Sequence, residues 1–171
     1  MLKEGDKAPG FELPGDDGGT HSLKENKGKW VVLYFYPKDL TPGCTIEACD
    51  FNETLDEFSN QEAVVYGVSK DTLASHARFK SKHGLKFTLL SDVDLSTHNA
   101  YGAYGEKTSY GKTTLGVLRS TFLIDPKGEV AKIWKKVRVA GHVKSVMETL
   151  RKLSAKTEPQ FLSKSVQRRP R

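Results

Sequence analysis

"KWVVLYFYPKDLTPGCTIEACDF", residues 29–51, runs a strand into a helix and carries both cysteines of the chain. Lys29 to Tyr36 is an unbroken β-branched and aromatic run stopped by Pro37, which reads as a strand buried on both faces, inside a sheet covered by helices. Beyond the turn "PKDLTPG", Ile46, Cys49, Phe51, Leu55 and Phe58 fall near helical spacing. That spacing predicts one amphipathic helix from Cys44 to Phe58, with Pro42 suited to its opening turn.

The rest of the chain extends the pattern. Ala63 to Ser69 reads as a second apolar strand, Thr72 to His83 as a helix closed by Gly84, and Phe87 to Leu90 as the start of a third strand. A short helix is expected from Asp94 to about Tyr101, then a polar, glycine-rich loop from Gly102 to Gly116. Ser120 to Ile124 and Glu129 to Trp134, joined by "DPKG", predict a hairpin. A last helix from His142 to about Leu153 offers Val143, Val146, Met147, Leu150 and Leu153 as its buried stripe. Near the start, "FEL" and "THSL" flank "PGDDGG" as a small hairpin, and Trp30 and Trp134 read as core or sheet-face aromatics. The order is that of a thioredoxin-like α/β fold, a central mixed sheet flanked by helices with an N-terminal β-hairpin extension.

The chain has 171 residues, 37% hydrophobic and 28% charged, which fits one soluble domain with a real core. We place that domain at residues 1–155. The net charge is +6, but Lys156, Lys164, Arg168, Arg169 and Arg171 against Glu158 alone supply +4 of it. Residues 156–171 therefore read as a solvated, disordered basic tail, with an anionic partner or a nuclear signal as the alternatives. No apolar run approaches the length of a membrane span, and the opening residues lack a signal-peptide stretch. The expected location is the cytoplasm, or a nucleus or organelle if a leader has been removed or the tail is a signal.

Two cysteines are too few for a disulfide-stapled scaffold, and His21, His76, His83, His98 and His142 show no ligand spacing with them. No metal site is expected from them. Cys44 follows Thr41, Pro42 and Gly43 at the helix mouth, where free N–H groups and the positive end of the helix dipole favour an anion. Such positions favour thiolate, the form of cysteine that attacks. The competing reading is a small hydrophobic residue packing the first turn. In an intact helix, residues five apart are separated by about 7.5 Å of rise and about 140° of rotation, which puts their Cα atoms roughly 8.6 Å apart. A disulfide tolerates little more than about 7 Å. A static bond between Cys44 and Cys49 is thus not expected. What remains is two separate thiols, or a pair that joins only when the helix end melts, as a peroxide-reducing cycle would use.

"PKDLTPGCTIEAC" resembles the peroxiredoxin signature Pro-x-x-x-Thr-x-x-Cys, and its second cysteine is similar to that of the bacterioferritin comigratory protein, or Q-type, subfamily. "GDKAPGFEL", "FTLLSDVD", "YGEKTSYGK" and "GVLRSTFLIDPKGEV" extend the resemblance over residues 2 to about 154. The resemblance implies a peroxidase for hydrogen peroxide and alkyl hydroperoxides, working without metal, haem or flavin in antioxidant defence. It makes Cys44 the peroxidatic nucleophile and Cys49 the resolving one. It gives Thr41 a hydrogen bond to the peroxide oxygens and sets Arg119 beside sulfur and peroxide. Gly43 contributes a backbone N–H, Pro37 and Pro42 shape and shield the pocket, and Glu47 belongs to the pocket or is a solvated first-turn acid. Thioredoxin, glutaredoxin or a similar dithiol is the implied reductant, and a monomer or weak homodimer the implied state.

Two other functions are weighed against this. A thioredoxin-type disulfide oxidoreductase needs Cys-x-x-Cys, whereas four residues intervene here. A nucleic-acid-binding module would act through the basic tail, Lys156 to Arg171. Gly105 to Thr113 imitates a phosphate loop but has one residue too many between its glycines. Asn52-Glu53-Thr54 matches a glycosylation acceptor inside an expected helix, and Asp92 and Asp94 read as a helix cap and turn rather than a cation site.

Overall fold

The structure, a computed structural model, describes residues 1–168, with side chains described for 1–108 and 110–156. Its centre is a five-stranded mixed sheet. β3, Trp30–Phe35, lies in the middle. Parallel to it run β4, Ala63–Ser69, and then β5, Thr88–Ser91. On its other side β8, Ser120–Ile124, pairs antiparallel with β3, and β9, Val130–Trp134, with β8. All six residues of β3 are buried, as the unbroken apolar run requires of a strand covered on both faces. Its alternate side chains feed two cores. Val32 and Tyr34 point with Phe51, Phe58, Phe79 and Leu150 into one, and Val31, Leu33 and Phe35 join Val68, Tyr101 and Phe122 in the other.

The N-terminal hairpin is present: β1, Glu12–Pro14, pairs with β2, Thr20–Ser22, and bridges to the main sheet at Gly15 and Leu90. Three elements depart from expectation, the third being the C-terminal helix. The helix foreseen from Cys44 to Phe58 is two helices, α1, Pro42–Glu53, and α2, Leu55–Asn60. They part at Thr54, whose hydroxyl bonds back to the Asp50 carbonyl at 2.8 Å and whose N–H is shared between Asp50 and Phe51, a back-bonding habit of threonine that bends helices. The expected loop after Gly102 is instead a hairpin of β6, Tyr104–Ser109, and β7, Lys112–Val117. Tyr110 and Gly111 turn it with φ of 52° and 76°, the paired positive values of a two-residue hairpin turn.

Three further helices complete the fold. α3, Leu73–His83, is capped by the Thr72 hydroxyl at Ser75 N and ends on left-handed Gly84. α4 is Ser96–Tyr101. Asp94 accepts from Ser96 N, and Asp92 from Thr97 N and His98 N, so both act as cap and turn residues. α5, His142–Arg168, continues beyond Leu153. Side chains past Lys156 and residues 169–171 lie outside the described residues; the backbone of 156–168, expected as a disordered tail, is helical as part of α5. Among the described residues no helix is long and apolar enough to cross a membrane.

Candidate active site

α1 begins just past the C-terminal end of β3, linked to it by the loop 36–41. Thr41 is its extended N-cap and Pro42 its first helical residue, so the N–H groups of Gly43 and Cys44 have no carbonyl within the helix to bond. The helix turns Cys44, Glu47, Ala48 and Phe51 inward. This differs from the expected stripe, because Ile46 is 55% exposed and Cys49 only half-buried. The true inward face is the set three, four and seven residues on from Cys44, and it contains a carboxylate.

Arg119 explains how that carboxylate is tolerated. The register of β8 on β3 ends at the pair Phe35 and Ser120, so Arg119 stands beside the strand end from which the loop to α1 departs. Its guanidinium forks: Nη1 donates to Glu47 Oε1 at 2.5 Å and Nη2 to Cys44 Sγ at 3.2 Å. Burial raises the Glu47 carboxyl to about 7, opposed by the Arg119 charge and hydrogen bond. For Arg119 burial works against its charge, but Glu47 and Cys44 outweigh it and hold the proton more firmly. A positive charge therefore sits on the sulfur of a thiol that is 1% exposed. Gly43 lies against the fork, where a Cβ would stand in van der Waals contact with Arg119 Nη2 at 3.4 Å.

Thr41 donates its hydroxyl to the Lys38 carbonyl at 2.8 Å, which leaves the oxygen lone pairs free to accept a hydrogen bond. Pro37 is half-buried within the loop and Pro42 exposed at the helix start. Cys49 lies in the same continuous helix as Cys44, and both are free thiols. Burial raises the Cys49 thiol, with Glu53 and Asp50 adding to the effect. The cleft of about 440 Å³ between α1 and α5, lined by Asp50, Glu53 and Lys144, does not include Cys44.

Several residues at the site had no sequence signal. Tyr34 stacks on Phe51 with ring centroids 4.5 Å apart and keeps its buried hydroxyl unpartnered, as is Glu47 Oε2. Burial first, then the charges of Glu47 and Cys44, push its phenol well above the usual range. His142 pairs with the Thr121 hydroxyl at 2.8 Å, and burial, reinforced by Arg119, holds it down to about 4. The oxygens of Asp39 and Asp71 and a nitrogen of His76 stand within 4.8 Å of one another. Both His76 nitrogens already face acceptors, so the group leaves no imidazole lone pair for a metal.

A thioredoxin-like sheet that holds a buried cysteine at a helix mouth, with a guanidinium on its sulfur, defines the class of thiol-dependent redox enzymes. The chain belongs to the AhpC/TSA family, which it matches over residues 4–133, and within it to the peroxiredoxins of Bcp or Q type. It is 48% identical over 155 residues to Peroxiredoxin Bcp of Bacillus subtilis, spanning 91% of this chain and 99% of that one. Among solved structures it is similar to the bacterioferritin comigratory protein of Xanthomonas campestris, studied for its alkyl peroxide reduction activity in trapped intermediate and ligand complexes. That likeness has a TM-score of 0.81 at 44% identity, covering 84% of this chain and 92% of that one. A cysteine-to-serine mutant of Xylella fastidiosa PrxQ gives a TM-score of 0.85 at 36% identity, covering 90% and 98%. The protein is thus a peroxidase of the oxidoreductase class, with peroxides as substrates.

Proposed function

We propose that Cys44 is the peroxidatic nucleophile, Cys49 its resolving partner, and hydrogen peroxide and alkyl hydroperoxides the substrates. The supporting observation is Arg119 Nη2 at 3.2 Å from the buried Cys44 sulfur. The Cys44 thiolate attacks one oxygen of the hydroperoxide, the O–O bond breaks, and the leaving alkoxide or hydroxide takes a proton to depart as alcohol or water. Arg119 and the free N–H groups of Gly43 and Cys44 stabilise the charge that develops on the oxygens. Thr41, its own proton committed to Lys38, accepts from the hydroperoxide O–H and so orients it.

The sulfenic acid on Cys44 is then attacked by the Cys49 thiolate. An S–S bond forms, and hydroxide leaves as water after protonation. Because the Cα spacing of an intact helix, about 8.6 Å, exceeds what a disulfide spans, α1 unwinds at its first turns for this step. A dithiol such as thioredoxin or a glutaredoxin-like protein reduces the disulfide by exchange. The protein serves antioxidant defence and redox homeostasis in the cytoplasm, as a monomer or weak homodimer.

The test is turnover. With excess peroxide and a thioredoxin system, the parent is expected to turn over continuously. Cys49→Ser should consume a single equivalent and stop, and Cys44→Ser none. Continuous turnover by Cys44→Ser would overturn the assignment.

A further inference from the structure

The loop between β3 and α1 has one buried side chain among residues 37–41, Asp39, which is 4% exposed. Its N–H donates to Asp71 Oδ2 at 2.8 Å. Its carboxylate takes three donors: the Tyr36 hydroxyl on Oδ1 at 2.6 Å, and the Ser75 hydroxyl and His76 Nδ1 on Oδ2 at 2.8 Å and 2.6 Å. His76, on α3, is fully buried, and its other nitrogen lies 2.9 Å from the Leu90 carbonyl of β5. Asp71 adds the end of β4, accepting from the Ser69 hydroxyl at 2.8 Å. His76 thus joins the C-terminal ends of β3, β4 and β5 beneath the loop that leads to Cys44.

The protonation state follows from those partners. A carbonyl only accepts, so Nε2 must carry a hydrogen. A neutral imidazole has one N–H, which would leave Nδ1 as a lone pair against a carboxylate oxygen. With both nitrogens protonated, each hydrogen bond has a donor. The groups facing the ring agree: Asp39 from the loop, Asp71 from the end of β4, the Leu90 carbonyl from β5 and the Tyr36 ring. Among these there is no cation. Burial works against the charged ring, but the Asp39 hydrogen bond and charge exceed it, so the proton is held more tightly than in an ordinary histidine.

We propose that His76 is a positioning residue of the thiol site, a doubly protonated imidazolium that fixes Asp39 and through it the loop presenting Thr41 and Cys44. The proposal rests on the peroxidase reading above. It gives α1 a fixed point of attachment, so that the first turns melt during disulfide formation and return to the same place after reduction.

Two readouts test it. Nitrogen-15 NMR of the reduced full chain is expected to show both His76 ring nitrogens carrying hydrogen at pH 6, and a single protonated nitrogen there would overturn the proposal. This measurement does not depend on activity. In rapid mixing with hydrogen peroxide, folded His76→Gln is expected to react at least about tenfold more slowly at pH 6.5, and a rate within twofold of the parent would overturn the proposal. A raised histidine pKa means that the contribution is complete below the unfolded value and lost as pH rises through the folded one. The ratio of parent to His76→Gln rates should therefore be greatest at low pH and fall toward one as pH climbs. Should His76→Gln not fold, Asp39→Asn supplies the same comparison. A parent inert toward peroxide would refute the peroxidase reading while leaving the NMR result standing.

Discussion

Replacing Arg119 by Met removes two hydrogen bonds at once, the one to Cys44 Sγ and the one to Glu47 Oε1, and their consequences separate. The bond to sulfur is charge-assisted and is worth about 1.5–3 kcal/mol, so its loss from the transition state slows peroxide attack about 10- to 150-fold. The bond to Glu47 bears on stability. Glu47 is fully buried with Oε2 already unpartnered, and losing Oε1 as well leaves a buried polar group unsatisfied at a cost of roughly 1–3 kcal/mol. Replacing the pair by apolar side chains, Arg119→Met with Glu47→Met, removes that orphan and is expected to recover the melting temperature. It does nothing for the sulfur. Stopped-flow measurement of the first peroxide turnover, beside thermal melts of parent, single and double variants, should show stability returning while the rate stays low. A single variant reacting within threefold of the parent, or a double variant that regains the rate, would refute the role given to the guanidinium.

Three further outcomes are expected. Glu47, raised to about 7 from an ordinary carboxyl value, binds its proton more tightly when folded, so its contribution is complete below about 4.3 and lost as pH rises through 7. The parent should lose stability relative to Glu47→Gln between those limits in denaturant titrations, and a constant gap would contradict the assignment. His142, lowered to about 4, has the opposite sign: stability is lost as pH falls from about 6.5 toward 4, by up to ~1.4 kcal/mol per pH unit. His142→Gln should flatten that slope in the same titrations. Oxidation should expose α1 to solvent, and hydrogen exchange within residues 44–52 is expected to speed up by about 100-fold or more in the disulfide form. Equal protection in both forms would contradict unwinding.

How far the sequence carried depended on whether a feature was local. β4 and β8 lie where their apolar runs predict, Ala63–Ser69 and Ser120–Ile124, because an inner strand announces itself by continuous hydrophobicity. The β6–β7 hairpin did not, since Lys107, Thr108, Lys112 and Thr113 give no apolar alternation and a Tyr-Gly turn lacks the usual Asn-Gly signal. Periodicity also misaligned α1. It counted Ile46 as buried and had no reason to put Glu47 inside, because the partner that permits it lies 72 residues away at Arg119. Asp39 and His76, 37 residues apart, were invisible for the same reason: only the sheet brings them together. Cys44, Gly43 and Arg119 were legible through their motif, and the structure gathers all three around one sulfur. Thr41 is in place at the helix cap, with its hydroxyl turned to Lys38.

The most direct test of the account is the intact mass of the reduced protein after one equivalent of hydrogen peroxide, followed by mapping of the bond in an unreduced digest. The account predicts the loss of two hydrogens and a peptide linking Cys44 to Cys49. In Cys49→Ser it predicts instead a sulfenic acid on Cys44 that a nucleophilic trap captures. An unchanged mass with the peroxide still present, or a sulfenic acid found on Cys49, would contradict it.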